Sequence, residues 1–258
     1  MCAEHFEPWD RETFVTQLRA VGMTRYHHLH PFHQAMNRGA LTPEQIRAWI
    51  ANRFYYQEHI PMKDAAIIAN CPLPEVRRLW LQRIRDHDGE RDGEGGIAAW
   101  LKLAEASGLA REEVLSGQLV LPATRFAVDA YVTFARQQPW PLAIASSLTE
   151  LFAPDLMRER LAAFERYYSW IAPEGLDYFR ARLQQAPRDA SQALELTVRF
   201  CTTRQLQEAA VQALAFKCDV LWSMLDALQF AYGPLAAESA LTPSNTSAAS
   251  LLPQEGRL

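Results

Sequence analysis

At 258 residues, with 49% apolar and 22% charged side chains, the chain can bury one large core and lacks the composition of a disordered protein. A net charge of −4 and a pI near 6.0 give no sequence-wide attraction to nucleic acid or anionic membrane, so neither is expected as a partner. The first residues carry no basic-then-apolar leader, and no apolar run approaches the ~18 residues of a membrane span, so a cytoplasmic location is expected.

Apolar residues recur at three- and four-residue intervals while two-residue alternation is absent, so the fold class is all-α. A first helix is expected over residues 10–22, and a short one opens at Pro31 and stops at Gly39. In Thr42-Pro43-Glu44-Gln45, a capping threonine, a proline at the first helical position and a glutamine three residues after the cap predict a helix reaching about His59. Pro61 is expected to break it and open another. Further helices are expected over 74–88, 96–107, 122–138, 141–153, 155–169, 173–185, 188–201 and 204–232. From Ala209 to Ala231 the only charges are Lys217, Asp219 and Asp226, so the last helix is expected to be central and buried. Residues 1–233 read as one catalytic domain, and the Ala-, Ser-, Pro- and Thr-rich segment 234–258 as a mobile tail. Cys2, Cys71, Cys201 and Cys218 show no CxxC spacing and are expected to be free thiols.

Polar side chains interrupt the apolar stripes. Ile46, Ile50, Arg53, Gln57 and Ile60 step by four and three, which turns Arg53 and Gln57 toward the core, and Lys63 follows. Val76, Trp80, Arg83 and His87 repeat the pattern; Tyr178 and Arg182 are an i, i+4 pair. Glu150 is the only charge between Arg136 and Asp155, and Lys217 lies in the most apolar helix. One inward cation is ordinarily half of an internal salt bridge. An excess of inward cations over carboxylates instead predicts a closed pocket for a small polyanion, in which His87 and Tyr178 move protons.

His27, His28, His30 and His33, with Asp86-His87-Asp88, raise the question of a metal. The paired Glu-x-x-His motifs of a di-iron bundle and the zinc-protease motif are both absent, so no metal is expected. One or two of these histidines should line the pocket and the others cap helices or face solvent. Ser146, Ser147, Cys71 and Cys218 have no neighbouring base and are assigned to packing. Trp49, Trp80, Trp100, Trp222 and Phe54-Tyr55-Tyr56 are assigned to the core, with Tyr26, Tyr56 and Tyr131 bringing hydroxyls to the polar cluster.

Several ordered stretches carry a family resemblance. They are Tyr26-His27 to His33, Ala51-Asn52-Arg53 to Gln57, Ile60-Pro61-Met62-Lys63-Asp64, Asp86-His87-Asp88-Gly89 and Arg125 to Tyr131. Ser146-Ser147-Leu148-Thr149-Glu150 to Pro154, Tyr178 to Arg182 and Phe216-Lys217 to Asp226 complete the set. Over residues 10–232 the chain resembles the pyrroloquinoline-quinone synthase family. The resemblance implies a compact seven-helix-type bundle similar to haem oxygenase and TenA, assembled as a homodimer. It implies a reduced polycarboxylate precursor as substrate, closed and oxidised by eight electrons to pyrroloquinoline quinone (PQQ), with O2 as co-substrate, peroxide released and no cofactor. It also implies that Arg53, Gln57, Lys63, Tyr131, Arg160 and Lys217 bind substrate, and the inward-facing pattern adds Tyr26, Tyr56 and Arg83 to that set. His27, His87, Tyr178, Arg182 and Glu150 would be catalytic, with His87, Tyr178 and Arg182 around the oxygen. Members often carry a histidine where this chain has Met157, which leaves the proton route open. The alternatives are a PQQ-binding delivery protein without turnover, a TenA-like hydrolase with a cysteine nucleophile, and a haem oxygenase relative with His27 as axial ligand.

Overall fold

The computed structural model describes residues 6–233; Cys2 and the expected tail 234–258 lie outside the described residues. Helical periodicity is realised as α1 (Arg11–Arg25), α2 (Pro31–Asn37), α3 (Pro43–Asn70), α4 (Pro74–Asp88), α5 (Gly95–Ala106), α6 (Arg111–Ser116), α7 (Pro122–Gln137), α8 (Trp140–Ser146), α9 (Ala153–Tyr167), α10 (Asp177–Phe200) and α11 (Arg204–Tyr232). Tight 3-10 turns occupy His27–Leu29, Ser147–Phe152 and Pro173–Leu176, and the described residues contain no strand. Among the described residues the fold is all-α, as expected, and its bundle is built from these eleven α-helical segments. Caps explain several starts: Asp10 accepts from the Thr13 N–H at 2.8 Å, and Thr42 and Gln45 form a reciprocal capping box.

Two expected breaks are absent. Pro61 and Pro187 both lie inside continuous helices, α3 and α10. Each proline removes one backbone donor and crowds the carbonyl four residues back, a cost of about 3 kcal/mol in an isolated helix. Here both halves of each helix are anchored by buried residues: Ile50 and Phe54 before Pro61 and Ile67 after it, Phe179 before Pro187 and Ala193 after it. Tertiary burial outweighs the local penalty. In the opposite sense, the helix expected over 141–153 tightens into the 3-10 turn at Ser147, and α6 is a helix the periodicity does not reveal.

α3 packs on α4, α5, α7 and α11, while α10 packs on α8, α9 and the 147–152 turn. α11 also meets α1, α7 and α8, but it is not buried all round: Glu208, Gln212, Asp219, Ser223, Asp226 and Phe230 form a solvent stripe. The uncharged members of that stripe are what make the helix look central in sequence. Trp49, Trp80 and Trp100 are in the core as expected, and the indole N–H of Trp100 donates to the Ile50 carbonyl at 3.0 Å. Gly22 lets α1 approach the 147–152 turn, because a Cβ there would lie 2.0 Å from the Phe152 ring. Cys71, Cys201 and Cys218 are buried free thiols, as expected.

Candidate active site

α3, α4, α9, α10, α11 and the 147–152 turn each send a charged side chain inward. Three of the cations are paired. Arg83 is ringed by Asp64 (3.4 Å), Asp189 (3.0 Å) and Glu150 (3.2 Å). Arg182 contacts Glu150 at 2.7 Å and Asp189 at 3.1 Å, and Lys63 pairs with Asp64 while donating to the Ser147 hydroxyl at 3.0 Å. The Trp80 indole N–H adds a 2.7 Å donation to Asp64. Burial opposes ionisation of Glu150, but Arg182 and Arg83 outweigh it and hold the carboxyl down to about 2. Asp64 is likewise held low by Lys63 and Arg83 against its burial.

Three more cations, Arg53, Arg160 and Lys217, meet no carboxylate among the described residues. Arg53 lies 4.0 Å over the Tyr56 ring, and the Lys217 ammonium donates to the Tyr56 hydroxyl at 2.8 Å while sitting 3.7 Å over the Tyr131 ring. Arg160 donates to His33 Nδ1 at 3.1 Å and lies 4.9 Å over the Trp49 ring. Aromatic faces and a neutral imidazole replace the missing anions, and they do so incompletely. Burial, reinforced by Arg53, pulls the Arg160 guanidinium down to about 9, and burial with Arg53 and Lys63 pulls Lys217 well below its ordinary range. The Nε atoms of Arg53 and Arg160 and Nδ1 of His27 are buried without any hydrogen-bond partner. His27, Arg53 and Arg160 face one recess, and Arg53, Tyr26, His87, Tyr178 and Arg182 face the next. These recesses hold about 10 and 30 Å3, so a ring-sized ligand enters only as wall side chains swing aside. A larger recess of about 280 Å3 beside α1 has Arg19 facing Asp155 and Glu159 and offers no cationic excess. Charge, not size, locates the site.

The groups suited to proton transfer are neutral. His87 Nδ1 lies 2.9 Å from the Arg83 carbonyl, which only accepts; Nδ1 therefore carries the proton and Nε2 the lone pair. Burial, then Arg182, pushes His87 down to about 4. His27 is driven well below its usual value by burial, then by His33 and Arg53. Tyr178 is raised by burial and donates to Gln57 Oε1 at 3.0 Å. Met157 lines the recess beside Tyr26 and Ala153. Burial pushes the Cys218 thiol up to about 12 and Cys201 up to about 11, which suppresses the thiolate a cysteine-dependent hydrolase needs.

Apart from His87, which lines the recess with Arg53 and Arg182, the residues expected from sequence fall into two groups. Tyr26, His27, Arg53, Tyr56, Gln57, Tyr131, Arg160, Tyr178 and Lys217 converge on the unpaired half. Lys63, Arg83, Glu150 and Arg182 make the paired half, with Arg83 behind the recess rather than on its lining. Of the other histidines, His30 caps α2 by accepting from the Phe32 N–H at 3.0 Å, and His33 supports Arg160. Asp64, Asp189 and Ser147 join this network of contacts, although sequence reasoning did not single them out as site residues. Asp189 was detectable: it follows Arg182 by seven residues, two helical turns on the same face.

The architecture and charge define an all-helical bundle whose interior holds more cations than carboxylates. The TENA/THI-4/PQQC family matches residues 16–227. The chain is 57% identical over 221 residues to a pyrroloquinoline-quinone synthase of Cronobacter sakazakii, covering 86% of this chain and 88% of that protein. It is 58% identical over 219 residues to one of Ectopseudomonas mendocina, covering 85% and 87%. Among solved structures, a TenA homologue from Pseudomonas syringae superposes with a TM-score of 0.70 at 16% identity, covering 88% of this chain and 99% of that one. A haem oxygenase-like domain of unknown function from Shewanella denitrificans gives 0.67 at 16% identity, covering 86% and 93%. The chain belongs to the pyrroloquinoline-quinone synthase family within the TENA/THI-4/PQQC group.

Proposed function

We propose that the protein completes PQQ: it closes the last ring of a reduced polycarboxylate precursor and removes eight electrons, with dioxygen as acceptor, hydrogen peroxide released and no cofactor of its own. The observation that carries this reading is the set of three cations without a carboxylate, Arg53, Arg160 and Lys217: the Nε atoms of Arg53 and Arg160 are unpartnered in the recess they share with His27, and Lys217 donates to the Tyr56 hydroxyl. A multiply carboxylated substrate supplies the missing anions, and the planar guanidinium forks suit carboxylates in two-point contact. In this reading Gln57, Lys63 and the hydroxyls of Tyr26, Tyr56 and Tyr131 serve the ring oxygens.

Neutral His87, its Nδ1–H held by the Arg83 carbonyl, offers Nε2 as the acceptor for a substrate proton. The deprotonated quinol is electron-rich enough to reduce dioxygen directly. Arg182, fixed by Glu150 and Asp189, stands beside His87 and Tyr178 to stabilise the negative charge that develops on oxygen. His27 is a second acceptor. Met157 cannot move a proton, so that step falls to His27, Tyr178 or water. The reading carries with it a homodimer, which sedimentation of the purified chain checks.

The test is incubation of the metal-free protein with the reduced precursor under air and under argon. Quinone absorbance and peroxide in air alone are expected. Full turnover under argon, or its abolition by chelators, refutes the reading.

A further inference from the structure

His87, Tyr178 and Arg182 have a cavity on each side. On one side they face the anion recess; on the other they bound a separate space of about 210 Å3 between α5 and α10. The far wall of that space is Gly96 and Ala99, and Ala181 lies exposed at its mouth. Asp86 and Gln185 complete its rim.

Its chemistry differs from that of the recess. The one cation it touches, Arg182, is already matched by Glu150 at 2.7 Å and Asp189 at 3.1 Å, and Asp86 adds a carboxylate paired with Arg188 outside the lining. A polycarboxylate therefore gains nothing here, and any occupant is small and uncharged. The small side chains of α5 leave room directly against the reactive wall: a Cβ on Gly96 would sit 3.4 Å from the Tyr178 ring and 3.7 Å from the His87 Cα.

We propose that this outer cavity receives dioxygen and passes it to the His87, Tyr178 and Arg182 wall from the side opposite the anionic substrate. The inference rests on the oxidase reading above. It separates the two reactants: a bound precursor fills the cationic recess without closing the oxygen route.

Ala99→Leu and Ala181→Leu extend side chains into the cavity, the second from an exposed position that folding tolerates, and Gly96→Ala adds one methyl at ordinary contact distance. Turnover at saturating precursor is measured against dissolved oxygen, and precursor affinity is measured anaerobically by absorbance. The leucine variants should raise KM for oxygen about fivefold or more, Gly96→Ala less, with precursor Kd unchanged within about twofold. An unchanged KM for oxygen in a folded Ala181→Leu protein overturns the passage. So does an equal loss of precursor affinity, which would assign the cavity to the substrate. Wild-type turnover that ignores oxygen refutes the oxidase reading instead, so the two failures are distinct. Xenon-pressurised crystals give an independent check: xenon between Gly96 and Ala181 supports the passage, and xenon bound only elsewhere overturns it.

Discussion

Arg160→Met should make the ligand-free protein more stable and its binding of ligand weaker. The Arg160 guanidinium has no carboxylate partner, is 1% exposed, and is pulled down from its ordinary range to about 9 by burial and by Arg53. At about 1.4 kcal/mol per tenfold, that displacement represents roughly 5 kcal/mol against the charged form. The 3.1 Å donation to His33 and the contact over Trp49 recover part of it, and Met keeps most of the apolar stem. Replacing buried charge by an apolar side chain of similar size typically gains about 1–4 kcal/mol, and that range is expected here. A gain of this size should raise Tm by about 2–4 °C per kcal/mol in a chain of this length. Calorimetry with and without PQQ is the assay. Ligand at 100 times its Kd should add about 2.7 kcal/mol to the wild type and nearly nothing to the variant. A variant that is destabilised without ligand yet keeps the full ligand-dependent gain refutes the assignment of Arg160 as an uncompensated anion-binding cation.

Asp189→Ala leaves Arg83 and Arg182 short of an anion, and urea unfolding should show a loss of about 3–5 kcal/mol. Glu195→Ala, which breaks the exposed 2.7 Å pair with Arg11, should leave the unfolding midpoint nearly unchanged; equal losses would refute the distinction. His87 is neutral in both states above pH 6.5, while between 6.5 and about 4 only the unfolded chain takes up its proton. Stability therefore falls as pH falls through that window, by up to about 3 kcal/mol from this residue, and unfolding curves for His87→Gln should show a shallower pH slope. Lys217→Ala should weaken PQQ binding at least about tenfold by fluorescence titration, whereas His87→Ala should keep binding and lose about 10²–10⁴ in turnover. The reverse order of effects would refute the roles proposed for them.

Local regularities made much of the helix content and half of the site legible. Arg53 and Gln57 fall on the apolar stripe of α3 because a helix repeats every 3.6 residues whatever surrounds it, and the Thr42–Gln45 capping box is complete within four residues. Prolines misled for the same local reason. Reading Pro187 as a boundary separated Asp189 from Arg182, so the carboxylate that completes the Arg182 pairing was hidden by an expected break that the fold does not make. Reading Pro61 as a boundary likewise put Lys63 just past the stripe that carries Arg53, although one continuous helix holds both.

By itself, the sequence determined the all-helical class, the inward cations and the family to which they belong, because spacing along one helix decides which residues share a face. It could not say which cations are neutralised. Arg83 and Arg53 look alike in their helices, yet Arg83 meets three carboxylates from three other segments of chain while Arg53 meets only the Tyr56 ring. That division depends on distances of 3–4 Å between groups far apart in sequence, and Coulomb and desolvation energies change steeply over such distances in a buried setting. Only the tertiary structure decided that Arg53, Arg160 and Lys217 meet no carboxylate among the described residues, and that a second cavity, whose one cation Arg182 is already paired, lies behind His87 and Tyr178.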